Sequence, residues 1–145
     1  METKYDYSVK TNFFRVKDES TFRVFMSNVI TSNDDLKVET MHVDGELRFS
    51  FSSKSLIIGI DYGEESAPED GDHAFDDFLT GLQELVDEDD AIIMMEYCIA
   101  DNGDVGATAT VITAFDTDYL DLRELATEKA EELIGLFSPY RKMRG

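Results

Sequence analysis

The sequence predicts one α+β domain spanning residues 1–145, an antiparallel sheet of five or six strands with about three helices in the order β-α-β-β-β-α-β-β-α. Three observations carry this prediction. Apolar residues recur with a helical period in three segments and alternate with polar ones in others. Asp44-Gly45 and Asn102-Gly103 stand between strand-like runs as two-residue hairpin turns, which imply antiparallel pairing. Finally, 145 residues with 42% hydrophobic content, ten Phe and six Tyr suffice for one core.

Phe13 to Lys17 reads as a short strand, and Asp18-Glu19-Ser20 offers a capping carboxylate and dipole-compatible acids at a helix start. Phe22, Phe25, Met26, Val29 and Ile30 then lie on one apolar helical face, before a polar loop from Thr31 to Asp35. Strands are expected at Lys37–Val43, Glu46–Ser52 and Ser55–Tyr62. Leu47, Phe49 and Phe51 alternate with Arg48 and Ser50, so the sheet is covered on one side. Tyr62 to Asp72 is rich in Gly, Pro, Ser and acids, which predicts an exposed loop. From Ala74, the stripe Phe75, Phe78, Leu79, Leu82 and Val86 predicts a second helix, followed by the acidic run Asp87-Glu88-Asp89-Asp90. Four acids there oppose the helix dipole, and neither capping nor propensity accounts for them. Ile92 to Ala100 is an apolar strand broken by Glu96. Pairing across Asn102-Gly103 as a two-residue turn sets Tyr97 opposite Thr108, Met95 opposite Thr110, Ile93 opposite Ile112 and Asp101 opposite Asp104. Leu122, Leu125, Ala126, Leu133, Ile134 and Phe137 give a third helix, followed by a basic tail at 140–145.

The charge is unevenly distributed. Between Ser55 and Leu122 there is no Lys or Arg, yet 19 of the 32 acids fall there. The other 13 acids are balanced by the 13 basic residues of the flanks, so the net charge of −19 arises in this central block. Acidification for high salt would spread along the chain, and solubility of a small domain needs a net charge of only about 2–8. A localised negative field attracts cationic partners and repels nucleic acid and anionic membranes. The expected partner is therefore a basic protein or complex, with no direct nucleic-acid or membrane contact.

Catalytic chemistry finds little support. His42 and His73 are the only histidines, and neither accompanies a Ser or Cys in a nucleophile elbow. The glycines match neither GxGxxG nor GxxxxGK[ST]. The sole cysteine, Cys98, lies in an apolar run and reads as a buried inert thiol, which excludes an intramolecular disulfide. Glu69-Asp70-Gly71-Asp72 with Asp76-Asp77 has the carboxylate density of a calcium loop but not the order of an EF-hand. No metal or other cofactor and no catalytic residue is predicted. Lys10 to Lys17 (KTNFFRVK) interleaves aromatics with cations as base-stacking segments do, but the domain charge opposes phosphate binding and a structural strand is the better reading. No signal peptide or apolar run of membrane-spanning length is evident, which gives a cytoplasmic expectation.

The candidate site is a partner-binding acidic face, mainly residues 61–90, formed by Asp61, Glu64, Glu65, Glu69, Asp70, Asp72, Asp76, Asp77, Glu84, Asp87, Glu88, Asp89 and Asp90. Such a surface can occupy a groove that otherwise neutralises DNA phosphates. In size, charge and localisation the chain resembles the small acidic antirestriction and anti-CRISPR proteins of phages and mobile elements, many of which are DNA mimics. Thr11 to Asp18 (TNFFRVKD), the helix after it and IIMMEY in the later strand are also similar to a family of small phage and plasmid proteins. These resemblances imply a mobile-element origin and a non-enzymatic inhibitor of a host defence complex, and they carry over no individual site residue. Two alternatives are an immunity protein that neutralises a basic nuclease toxin and an acidic metal-binding domain.

Overall fold

A computed structural model describes residues 5–61, 74–103 and 105–135. The element order is β1 (Tyr5–Thr11), α1 (Glu19–Ser27), β2 (Val29–Thr31), β3 (Lys37–Val43), β4 (Glu46–Ser53), β5 (Ile57–Ile60), α2 (Ala74–Leu85), β6 (Ile92–Ala100), β7 (Val105–Ile112), β8 (Thr117–Asp121) and α3 (Leu122–Gly135). The α+β class holds. Six strands form an antiparallel sheet in the order β3-β4-β1-β6-β7-β8, while β2 and β5 form a separate two-stranded sheet.

Four expectations are corrected. The first strand lies upstream of Phe13–Lys17, because Tyr5–Thr11 pairs residue for residue with Met94–Ala100 of β6, whereas Phe14 and Val16 make only isolated bridges to Phe49 and Val86. The first helix stops at Ser27. Its Asn28 cap donates its N–H to the Phe25 carbonyl, and the β-branched Val29-Ile30-Thr31 turn into a strand against β5. Ser55–Tyr62 accordingly contributes β5 to the small sheet and not to the main one. The β6–β7 hairpin is shifted by one residue: Tyr97 faces Ala107, Met95 faces Ala109 and Ile93 faces Val111. Gly103, at φ +90°, donates its N–H to the Ala100 carbonyl, so the connection is a three-residue loop with its glycine in the left-handed region. Asp104 lies outside the described residues. A further edge strand, β8, precedes α3.

Asp44-Gly45 forms the expected two-residue turn, with φ of +52° and +82° as a type I′ hairpin requires. Asp18 caps α1, its carboxylate accepting the Thr21 N–H at 3.0 Å.

The core occupies one face of the main sheet. Phe49 and Phe51 of β4, Val9 of β1, Ile92 and Met94 of β6 and Ile112 of β7 are buried there against Phe22 and Met26 of α1 and Phe78 and Leu82 of α2. Phe14 crosses between the layers, edge-on to Phe22 at 5.6 Å and to Phe51 at 6.3 Å, and Phe51 meets Phe78 at 6.0 Å. Each fully buried Phe contributes on the order of 1.5–3 kcal/mol, so this aromatic cluster is the main fastening of helices to sheet.

The segment that suggested base stacking is structural throughout. Thr11 Oγ1 accepts the Phe51 N–H at 3.1 Å, and Asn12 brackets β6 by donating to the Ala91 carbonyl and accepting the Ile93 N–H at 2.7 Å. Phe14 exchanges backbone hydrogen bonds with Phe49, and the Lys17 N–H reaches the Leu85 carbonyl. Side chains thus replace the ladder where β1 leaves the sheet.

Candidate functional site

The acids of the predicted face fall into three groups. Glu64, Glu65, Glu69, Asp70 and Asp72 lie outside the described residues. Asp76, Asp77 and Glu84 are carried by α2, with Asp61 at the end of β5 beside it. Asp87, Glu88, Asp89 and Asp90 follow the helix.

Asp76 and Asp77 stand in the first turn of α2, where the macrodipole favours them. Asp77 and Glu84 lie two turns apart, about 10.5 Å along the helix, on the rim of a groove between α1 and α2. Phe25, Ile60 and Leu85 supply its apolar lining, with Gly81 between. Gly81 is what lets the helices approach: a Cβ there would lie 2.2 Å from the Phe25 ring, which stacks on Phe78 at 6.1 Å. At the base of the same helix, Gly59 at φ +152° permits β5 to pass against the backbone of Ala74, 2.5 Å from where a Cβ would stand. A carboxylate rim over an apolar lining suits a Lys or Arg side chain, whose aliphatic stem lies on the apolar wall while its head meets the acids.

The run after α2 is divided by the fold. Asp90 accepts the Arg15 N–H on Oδ2 at 2.9 Å and the Ala91 N–H on Oδ1 at 2.8 Å, while Asp87 accepts the Asp89 N–H at 2.9 Å. The Arg15 guanidinium lies 3.5 Å from Asp90 and 3.9 Å from Glu46. Partial burial works against its charge, and Asp87, Glu46 and Asp90 outweigh that effect and raise its pKa. The helix itself ends at Leu85, so these acids shape a turn around a buried-stem arginine instead of terminating a helix. That accounts for two of the four. Glu88 and Asp89 remain exposed.

Two further polar clusters lie outside the predicted acidic face. Asp35 accepts from the hydroxyls of Ser55 and Thr31 and from the Lys54 N–H, with Ser53 Oγ at 2.8 Å. Hydrogen bonds from Ser55 and Ser53 dominate, and they hold its carboxyl down to about 2. Tyr7 donates to Glu96 at 3.1 Å on the core face of the sheet, and burial followed by the Glu96 charge pushes the phenol well above its ordinary range. Glu96 was visible as the one acid in an apolar strand, but its partner lies 89 positions away. Cys98 is half-buried beside this pair on the same face and is not enclosed in the core. Among the described residues no group of three or more His, Cys, Asp or Glu is arranged to hold a metal ion. No helix among them is long and apolar enough to cross a membrane.

Comparison with protein-family models, with curated proteins and with solved structures yields no match.

Proposed function

We propose that this protein is a non-enzymatic inhibitor that occupies the basic nucleic-acid groove of a host defence complex, a CRISPR effector or a restriction system, by presenting carboxylates in place of phosphates. The carrying observation is the α2 side of the fold, where Asp76, Asp77 and Glu84 stand on one helix with Asp61, Glu88 and Asp89 nearby, in a stretch of sequence without a single Lys or Arg. A predominantly negative surface steers a cationic groove toward it over long range and accelerates encounter at low salt. The apolar lining of the α1–α2 groove adds affinity that salt does not screen. Asp87 and Asp90 support this surface through Arg15 more than they extend it.

That apolar groove also favours a second reading, an immunity protein with one tight cognate nuclease toxin, since shape-specific burial selects a single partner.

Displacement of labelled duplex DNA from purified basic effectors tests the proposal. The intact chain should release DNA with an affinity that falls steeply as salt rises, and the combined Asp76→Asn, Asp77→Asn and Glu84→Gln substitutions should weaken it at least tenfold. Unchanged displacement and unchanged salt slope in that variant would overturn the mimicry. An immunity protein would ignore such effectors and silence one nuclease.

A further inference from the structure

Helices α1 and α2 cover the core-side face of the main sheet over β4, β1 and β6 and leave its β8 end bare, where Tyr119 is 62% exposed. Between the flank of α2 and β8 lies a cleft of about 350 Å³, at the small end of ligand sites. Phe75 and Leu79, one turn apart on α2, form one wall and Tyr119 the other, with Glu96 and Thr110 on the sheet between them. Glu96 pairs with Thr108, so Thr110 is its diagonal neighbour on the same face, and Thr110 in turn pairs with Tyr119.

Two polar groups in this cleft are not used up by the fold. Tyr7 donates to Glu96 Oε2 at 3.1 Å, while Oε1 makes no hydrogen bond among the described residues. Thr110 is only 7% exposed, yet its hydroxyl has no partner among them either. A polar group so enclosed ordinarily has a hydrogen-bond partner, because an unpaired one keeps its full desolvation penalty.

We propose that this cleft binds a small organic ammonium with an aromatic body, its head on Glu96 Oε1 and the Thr110 hydroxyl and its ring between Phe75 and Tyr119. The charged groups lining the cleft among the described residues are Glu96 and Asp118, both acids, so a cation is attracted and an anion repelled. No described cation neutralises Glu96: Arg123, at the start of α3, donates to the Val105 carbonyl and lines a separate groove with Cys98 and Asp121. An ammonium donates three hydrogen bonds and accepts none, which suits a carboxylate oxygen and a hydroxyl that can both accept. Aromatic faces within about 6 Å of the head add cation–π attraction. Tyr7 is the positioning residue. Burial followed by the Glu96 charge raises its pKa, so the phenol stays a donor and holds the carboxylate in one orientation. None of these residues belongs to the acidic face of α2, and the proposal is independent of the inhibitor reading.

Isothermal titration calorimetry of the full chain with phenethylammonium chloride tests it, alongside phenethyl alcohol and phenylacetate, which keep the ring and carry a neutral or an anionic head. One site for the ammonium is expected, with the alcohol at least tenfold weaker and no binding of phenylacetate. Binding should survive about 0.3 M NaCl, where diffuse attraction to a chain of net charge −19 is screened. Glu96→Gln keeps an acceptor for Tyr7 and should weaken the ammonium at least tenfold. Tyr119→Ala, at an exposed position outside the core, should weaken it severalfold with a native melting transition, which guards against a Glu96 variant that fails to fold. Tyr7→Phe should weaken the ammonium but not the alcohol, a difference that a merely structural role would not produce. The combined Asp76→Asn, Asp77→Asn and Glu84→Gln variant should bind the ammonium as the parent does, which separates this cleft from the acidic face. The absence of saturable binding overturns the proposal, as do equal affinities for ammonium and alcohol or a folded Glu96→Gln variant that binds unchanged. Tighter binding of N-acetyl-lysine amide than of phenethylammonium overturns the small-ligand assignment in favour of a lysine side chain from a partner.

Discussion

Asp90 receives the backbone N–H of Arg15 on one carboxylate oxygen at 2.9 Å, and the same oxygen lies 3.5 Å from the guanidinium. One acid of the negative block is thereby bound to an arginine of the N-terminal flank, 75 positions away. Asp90→Ala should cost about 1–3 kcal/mol, because the Arg15 N–H loses its acceptor and a partly buried cation loses its nearest carboxylate. Asp90→Asn should recover part of this, and Asp89→Ala should stay within about 0.5 kcal/mol of the parent. Urea titrations of the three variants measure the difference. Equal effects at positions 89 and 90 would remove the structural role assigned to Asp90.

Thr11 substitutes for a strand partner where β1 diverges from β4. Its buried hydroxyl accepts the Phe51 N–H at 3.1 Å and donates to the Asn12 carbonyl at 2.8 Å. Thr11→Val keeps shape and β propensity but orphans a buried N–H, so a loss of about 1–3 kcal/mol is expected. Thr11→Ser should retain most of the stability. Chemical denaturation with an unchanged m-value checks both.

Gly59 and Gly103 both have positive φ, but only Gly59 is also closely packed. A Cβ at Gly59 meets the Ala74 backbone at 2.5 Å, whereas Gly103 has nothing within 4 Å. Gly103→Ala should therefore cost only the backbone term, about 1–2 kcal/mol. Gly59→Ala adds an overpacking cost of about 1–3 kcal/mol, since a helix backbone cannot step aside as a side chain would. The two melting temperatures should separate in that order, and the reverse order would contradict the packing of β5 on α2.

Asp35 ties the Thr31 and Ser53–Ser55 segments together, and its carboxyl is held down to about 2. A carboxyl depressed on folding stabilises the native state above the unfolded value near 4 and loses that contribution as pH falls toward 2. The difference in melting temperature between the parent and Asp35→Asn should be largest above pH 5 and shrink between pH 4 and 2. A difference that does not vary over this range would show that the carboxylate charge is not what the hydroxyls stabilise.

The α+β class, the helices at Phe22–Met26 and Phe75–Leu82, and the Asp44-Gly45 hairpin were legible because each is written in local periodicity or in one dipeptide's turn chemistry. The concentration of charge in the central block was equally plain, since counting needs no geometry. What sequence reading missed depends on partners far along the chain. Val29 and Ile30 continue a helical stripe, and only pairing with β5 makes them a strand; Asn102-Gly103 allows two loop lengths, and the β6–β7 ladder selects one. Asp87 to Asp90 look alike in sequence, yet Arg15 draws two of them into a turn and leaves two exposed. By itself the sequence determined the local elements and the sign of the surface. The tertiary structure decided which acids are structural, where the α1–α2 groove lies and which sheet face remains bare, because each depends on contacts between residues tens of positions apart.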